Sequence, residues 1–333
     1  MHSETSHPRR LCHAAAVFAL GAALLTATFT TQATAQADFP NKPIRLIVPF
    51  APGGLADITM RIVGEKLGDR LGQRIVIDNR PSGGGIAAAQ AVATAPADGY
   101  TLIVFTNGTA ISVGLFKALP FDPIKDFVPI SSVAYFDILL LVNGNSPIKT
   151  VQDLLTAARA RGNTMNMGTI NPGSTQNLSG ELFKSTAGID APIVPFRTSG
   201  EVQVALVRDD IAVGFESYAA LKGAIDDKQI RAIATSGATR SLPDIPTVRE
   251  TGALDYEVVG WNAIFAPAGT PKEIVAKLNS EIVAIMAMPD IRKRILELGT
   301  EPKASTPDEI SARLKADIVK WGAVIDKAKI EKR

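Results

Sequence analysis

Ser146 and Lys149 stand three residues apart, the spacing of one element of a Ser-Lys hydrolase. They lie on a loop containing Pro147 and the companion motifs are missing, so the match reads as chance. Asp209-Asp210 and Asp226-Asp227 are adjacent acids in turn-like positions, and solvated turns account for them better than paired catalytic carboxylates. The histidines are His2, His7 and His13, and the single cysteine is Cys12. Beyond residue 13 the chain cannot build a zinc site of the His/Cys type, a Ser-His-Asp or Cys-His nucleophile, or a disulfide. No catalytic residue, metal or cofactor is expected. Binding a small molecule is the better reading than transforming one.

What remains is loop chemistry. Pro49-Phe50-Ala51-Pro52-Gly53-Gly54-Leu55-Ala56-Asp57 joins an apolar run to a helical one. Two glycines let backbone approach a ligand closely, and a helix N-terminus presents unpaired N–H groups to an anion. Asp57 either caps that helix or accepts a bond from a ligand amine or hydroxyl. Gly168-Thr169-Ile170-Asn171-Pro172-Gly173-Ser174-Thr175 and Phe196-Arg197-Thr198-Ser199-Gly200 are two further strand-to-helix loops with hydroxyls at the helix start. Each alone could be ordinary capping. Three at the carboxyl ends of strands mark the place where open α/β sheets hold ligands. Gly83 to Ala88 fits G-x-G-x-x-A, but a dinucleotide site also needs an acid near the end of the next strand, and that strand ends Val104-Phe105-Thr106-Asn107. It reads as a tight turn.

The elements that must position these loops alternate. Ile44–Val48, Ile75–Ile77 and Thr101–Phe105 read as strands, with helices over Asp57–Leu71 and Ile86–Ala95. After the apolar runs Val128–Val133 and Ile138–Val142 a second series begins. A helix capped by Thr150 and Asp153 comes first, then strands at Met165–Gly168, Ile193–Phe196, Ile211–Phe215 and Ile230–Thr235 with helices between. Val258–Phe265 reads as a returning strand, followed by helices from Pro271 and from about Pro307. The alternation predicts an α/β protein of two lobes, each a mainly parallel sheet flanked by helices. The first lobe is discontinuous, 36–141 and 256–333, and the second is 142–255. Two crossings make a hinge, and the cleft between the lobes is the expected site. Trp261, near the return crossing, is expected to report closure by its emission.

Arg9-Arg10, the uncharged Leu11–Phe29 run and the small residues Ala33-Thr34-Ala35 have the order of a cleaved secretory signal, residues 1–35. Cleavage there leaves about 300 residues, enough for two domains at about 150 each. With 35 Lys+Arg against 33 Asp+Glu and no basic block, nucleic acid is not an expected partner.

Lys42-Pro43-Ile44-Arg45, then Val48-Pro49-Phe50 with Pro52-Gly53-Gly54 and Asp57, resembles the start of the solute-binding proteins of tripartite tricarboxylate transporters, the Bug or TctC-like family. The likeness runs on through Asp78-Asn79-Arg80-Pro81, Asp98-Gly99-Tyr100, Thr106-Asn107-Gly108, Lys125-Asp126-Phe127, Gly180-Glu181-Leu182-Phe183, Leu242-Pro243-Asp244 and Ala266-Pro267-Ala268-Gly269-Thr270-Pro271 to the Trp321-Gly322 helix. It implies a periplasmic binding protein of the two-lobed Venus-flytrap type, a monomer without a cofactor. It would deliver a small carboxylate to a large and a small integral membrane subunit. The resemblance also implies one binding loop per lobe: Phe50 to Asp57, including Pro52, Gly53 and Gly54, and Thr198, Ser199, Gly200 and Glu201, helped by the Thr169 to Ser174 loop. Thr106 and Asn107 at a strand end, and Ser217 at another, are further candidates. In lobe two the sequence departs from the family pattern, with Arg208-Asp209-Asp210 where glycines are usual, Ala212 where Asp is common, and Glu201 where a small or apolar residue is usual. An acid at 201 disfavours a second ligand carboxylate unless it points away. A sensor passing its ligand to a membrane signalling protein, and an exported hydrolase, are the alternative readings.

Overall fold

The computed structural model describes residues 39–327 and 330–332, together with His2. The expected signal, with His7, Cys12 and His13, lies outside the described residues. The described residues from Lys42 onward form one compact unit.

Two sheets organise this unit. The first contains β1 (Ile44–Val48), β2 (Ile75–Asn79), β3 (Thr101–Thr106), β4 (Phe127–Asp137), β10 (Val259–Pro267) and β11 (Thr300–Pro302), in the order β11-β4-β10-β3-β1-β2. The second contains β5 (Leu139–Asn143), β6 (Met167–Ile170), β7 (Ile193–Phe196), β8 (Val213–Glu216) and β9 (Ile230–Thr235), in the order β7-β6-β8-β5-β9. Strands joined through a helix pair in parallel, β1 with β2 and β3, and β6 with β7 and β8. The strands by which the chain enters one sheet from the other run the other way. β10 is antiparallel to both β3 and β4, and β5 to both β8 and β9. Each sheet is therefore mixed rather than mainly parallel, because a chain that leaves one sheet and enters the next directly does so without a crossover helix.

The first sheet is flanked by α1 (Leu55–Leu71), α2 (Ile86–Ala93), α3 (Asn107–Leu115) and, later in the chain, α8 (Lys272–Ala287), α9 (Pro289–Leu296) and α10 (Pro307–Lys327). The second carries α4 (Val151–Arg161), α5 (Thr175–Ala187), α6 (Ser199–Val207) and α7 (Tyr218–Asp226). The expected apolar stripes are buried: Ile274, Leu278, Ile282 and Ile285 of α8, and Ile310, Leu314, Trp321 and Ile325 of α10. Thr150 and Asp153 form the expected capping box at α4, each accepting the other's backbone N–H. β5 reads as an unbroken apolar run because both its faces are covered. Leu140 and Val142 join the core shared with the first sheet, while Leu139 and Leu141 join a second cluster under α6 and α7.

Only Ile138 separates β4 from β5, so sheet membership changes at that residue, and Val142 lies within the second sheet. The return runs from Thr235 to Val259. Ser236 ties the two crossings together: its backbone and hydroxyl bond to both Ile138 and Val258. Among the described residues no helix is long and apolar enough to cross a membrane.

Candidate functional site

The loop after β1 folds around Asp57. Gly53 has φ +82°, a left-handed conformation that glycine adopts without strain. Its N–H donates to Asp57 Oδ2 at 2.9 Å. Asn79 donates to Phe50 O at 3.1 Å and to Asp57 Oδ1 at 2.9 Å, and Arg61 pairs with the same carboxylate. Burial works to raise the Asp57 pKa, but the bonds from Arg61, Gly53 and Asn79 outweigh it and hold the carboxyl below its ordinary range. Asp57 is thus a brace that fixes the loop. Gly54 takes the N-cap of α1 with no side-chain cap, so the first-turn amides are left to a ligand or solvent.

These amides open onto a cavity lined from both sheets. The first sheet and its loop supply Phe50, Ala51, Pro52, Gly54, Leu55, Ala56, Thr106, Phe136 and Asn262. The second supplies Ile170, Asn171, Thr175, Gln176, Arg197, Thr198 and Ser199. Thr175 and Gln176 begin α5, and Thr198 and Ser199 begin α6, so three helix N-termini converge on one space. That arrangement favours an anion. Asn262 is 1% exposed and its Nδ2 has no hydrogen-bond partner among the described residues. A buried donor left open in a cavity wall is a costly feature unless a ligand or water completes it.

The two walls also touch beside the cavity. Gly84 N–H donates to Pro172 O at 3.2 Å. A Cβ on Gly108 would come within 2.6 Å of Gly173 O, and one on Gly173 within 3.1 Å of Gly84 Cα. The triple-glycine turn therefore packs against the Asn171–Ser174 loop, consistent with its reading as a turn and not a nucleotide loop.

Behind the second wall sits Glu216, fully buried at the end of β8. Its Oε1 accepts from Gln176 Nε2 at 2.8 Å, Ser217 N at 2.7 Å and Ser217 Oγ at 3.1 Å; its Oε2 accepts from Ser199 Oγ at 2.8 Å. Burial raises its pKa, against the lowering effect of these bonds. A second buried acid, Asp137, ends β4 at the crossing. Burial pushes it up to about 6, with Glu257 and Glu301 adding to the effect and bonds from Ser241 opposing it.

Of the residues expected from sequence, the structure brings Phe50, Pro52, Gly54, Thr106, Thr198 and Ser199 to the cavity wall. Others lie in its support. Gly53 and Asp57 bond each other. Thr169 Oγ1 accepts from Asn177 Nδ2 at 3.1 Å, and Ser174 caps α5 by accepting from Asn177 N at 3.1 Å. Ser217 turns both donors to Glu216. Gly200 is exposed in the first turn of α6. Glu201 folds back on its own helix start, accepting from Arg197 N at 3.0 Å, so it points away from the cavity. Asn107 also turns away. Its amide donates to Val259 O and Asp317 Oδ2 and accepts from Trp261 N, because Thr106, the last residue of β3, is also the N-cap of α3, and Asn107 is the first residue of that helix. Asn262, Gln176, Arg197, Asn171 and Phe136 were not among the expected contacts. Arg197 and Asn171 lay inside loops already singled out, whereas Asn262 and Phe136 sit within strands and give no local signal.

A profile of the tripartite tricarboxylate transporter family receptor, TctC, matches residues 59–330. A Pseudomonas sp. protein of the UPF0065 group is 31% identical over 92% of both chains. Protein BugT of Bordetella pertussis is 30% identical over 91% of this chain and 94% of its own. Among solved structures, an R. palustris protein with adipate superposes with a TM-score of 0.85 at 34% identity, over 89% of this chain and all of that one. MatC from Rhodopseudomonas palustris with bound malate gives 0.81 at 31% identity, over 86% of this chain and all of that one. The two-sheet α/β architecture and the profile match lead to the same conclusion: the chain belongs to the tripartite tricarboxylate transporter receptor family of solute-binding proteins, the TctC or Bug family.

Proposed function

We propose that the chain is a periplasmic receptor that captures a small carboxylate between its two sheets, closes on it, and delivers it unchanged to the large and small membrane subunits of a tripartite transporter. The convergence of three helix N-termini on one cavity, with the Asn262 donor open in its wall, carries this reading. Carboxylate-bound relatives, one with adipate and one with malate, support the ligand class. In this reading the lobes follow the two sheets, and Ile138 with the segment from Thr235 to Val259 forms the hinge. Closure follows from ligand contacts made to both walls at once. Export removes residues 1–35, and the mature protein acts as a monomer without a cofactor.

Native mass spectrometry of the exported protein is expected to show a retained acid. A carboxylate screen by thermal shift should then raise the melting temperature with that acid and leave it chemically intact. Turnover of the bound acid would replace this reading with an enzymatic one. Uptake of the labelled acid should require both the receptor and the two membrane subunits; normal uptake without the receptor would remove it from transport.

A further inference from the structure

We infer that the acid taken up by this cavity carries a hydroxyl or ammonium group that donates a hydrogen bond to Ser199, and that Glu216 is the positioning residue that sets this preference. The inference rests on the carboxylate reading above.

A serine hydroxyl has one proton. Burial of Glu216 favours its neutral acid, but the hydrogen bonds it receives from Gln176, Ser217 and Ser199 favour the ionised form, and an ionised carboxylate only accepts. Ser199 Oγ directs that proton to Glu216 Oε2 at 2.8 Å. Three donors already occupy Oε1, from Gln176 and Ser217, while Ser199 is the one partner of Oε2 among the described residues. Turning the Ser199 hydroxyl toward the ligand would leave one oxygen of a fully buried carboxylate unpaired, a heavily disfavoured arrangement. Ser199, which lines the cavity, therefore presents only lone pairs to its contents. The same carboxylate holds Gln176, another lining residue, in one orientation.

The rest of the wall has the opposite polarity. Asn262 Nδ2 is an open donor, the start of α1 offers amides, and Arg197 is the only ionisable lining residue among the described residues. These groups suit a carboxylate. Ser199 does not: a second carboxylate placed against it would meet an acceptor backed by a buried acid. An amine or hydroxyl beside the ligand's carboxylate satisfies both halves of the wall.

Calorimetric titration of the ligand-stripped protein with matched acids tests this. Propionate, lactate and alanine form one set; succinate, malate and aspartate a second; glutarate, 2-hydroxyglutarate and glutamate a third. Within the set that fits, the hydroxy or amino acid is expected to bind at least about tenfold more tightly than the unsubstituted acid, since a site built to pair a polar group rejects the analogue lacking it. Ser199→Ala and Glu216→Gln should each bring that ratio to within about threefold. Equal or tighter binding of the unsubstituted acid by the wild type overturns the inference. So does a Glu216→Gln protein that weakens every acid alike and keeps the ratio, which is what a merely structural role would give. Should Glu216→Gln fail to fold, Ser199→Ala decides alone. Failure of every acid to bind would instead overturn the carboxylate reading beneath it.

Discussion

Ser236 and Ile138 exchange two hydrogen bonds at the crossing between sheets: Ile138 N–H donates to Ser236 Oγ and Ser236 N–H to Ile138 O, both at 2.8 Å. The same hydroxyl donates to Val258 O at 2.5 Å, and Val258 N–H donates to Ser236 O at 2.8 Å. One residue thus couples both strands that pass between the sheets. Ser236→Ala leaves the buried Ile138 N–H without its acceptor and should cost about 1–3 kcal/mol. Urea denaturation would measure it; an unchanged midpoint and slope would show that the crossing does not depend on this hydroxyl.

Asp57→Asn tests the brace under the Gly53–Gly54 loop. The native carboxyl titrates below its ordinary value, so its contribution to stability is present above pH 4 and is lost as pH falls through the lower native pKa. The variant should be less stable by about 1–3 kcal/mol at pH 7 and should approach the wild type in strong acid. A deficit that stays constant with pH would contradict the charge-based account.

Asp137 behaves in the opposite sense. Its native pKa of about 6 exceeds the unfolded value of 3.8, so the folded chain holds the proton more tightly. Its stability contribution is complete below about pH 4 and disappears as pH rises through 6. Asp137→Asn should match the wild type near pH 4 and be more stable at pH 7.5 by on the order of 3 kcal/mol. Denaturation at the two pH values makes the comparison, and a variant that is less stable at both would refute it.

Asn107 and Asn262 should separate stability from binding. Asn107 is 1% exposed and holds β10 and α10 against α3. Asn107→Ala should lower stability by about 2–4 kcal/mol, having several buried partners to orphan. Asn262→Ala removes a donor that has no partner among the described residues, so stability should change by less than about 1 kcal/mol while affinity for the acid falls about tenfold or more. Thermal melts and titrations on both variants would expose any reversal of this pattern.

Gly173 lies where the two walls touch, with φ +81°. Gly173→Ala adds left-handed strain of roughly 1–2 kcal/mol and a methyl group against Gly84. If the closed arrangement is the one the ligand favours, affinity should drop about 5- to 30-fold, and small-angle scattering should show less compaction on adding ligand. Undiminished affinity would mean that this contact plays no part in closure.

Sequence periodicity located the helices whose one face is buried, α8 and α10, and the cap at Thr150, because those signals are local. α3 was not legible: Asn107-Gly108-Thr109 carries low helix propensity, and what makes it helical is a box between Thr106 and Thr109 and the grip of Asn107 on β10. The mixed sheets escaped for a related reason. Apolar runs reveal that a strand is buried but not which way it runs. The binding loops were recognisable by their glycines and hydroxyls, yet loop membership did not separate wall from brace. Asp57, Ser174 and Glu201 carry ligand-like chemistry and use it on their own backbone. Asn262 is an ordinary strand residue until a cavity forms beside it.

Trp261 neighbours Asn262 on β10, yet its indole is fully buried and donates to Asp317 Oδ2 at 2.6 Å on α10, and Trp321 is 1% exposed on that same helix. Both of the chain's tryptophans are thus reporters of how α10 seats on the first sheet, and their emission should follow unfolding more than occupancy. Because no cysteine follows Cys12, an introduced thiol near Gly84 or Pro172 would be the sole labelling point in a protein processed at residue 35. A single dye there, silent to the fate of α10, would give closure its own optical channel.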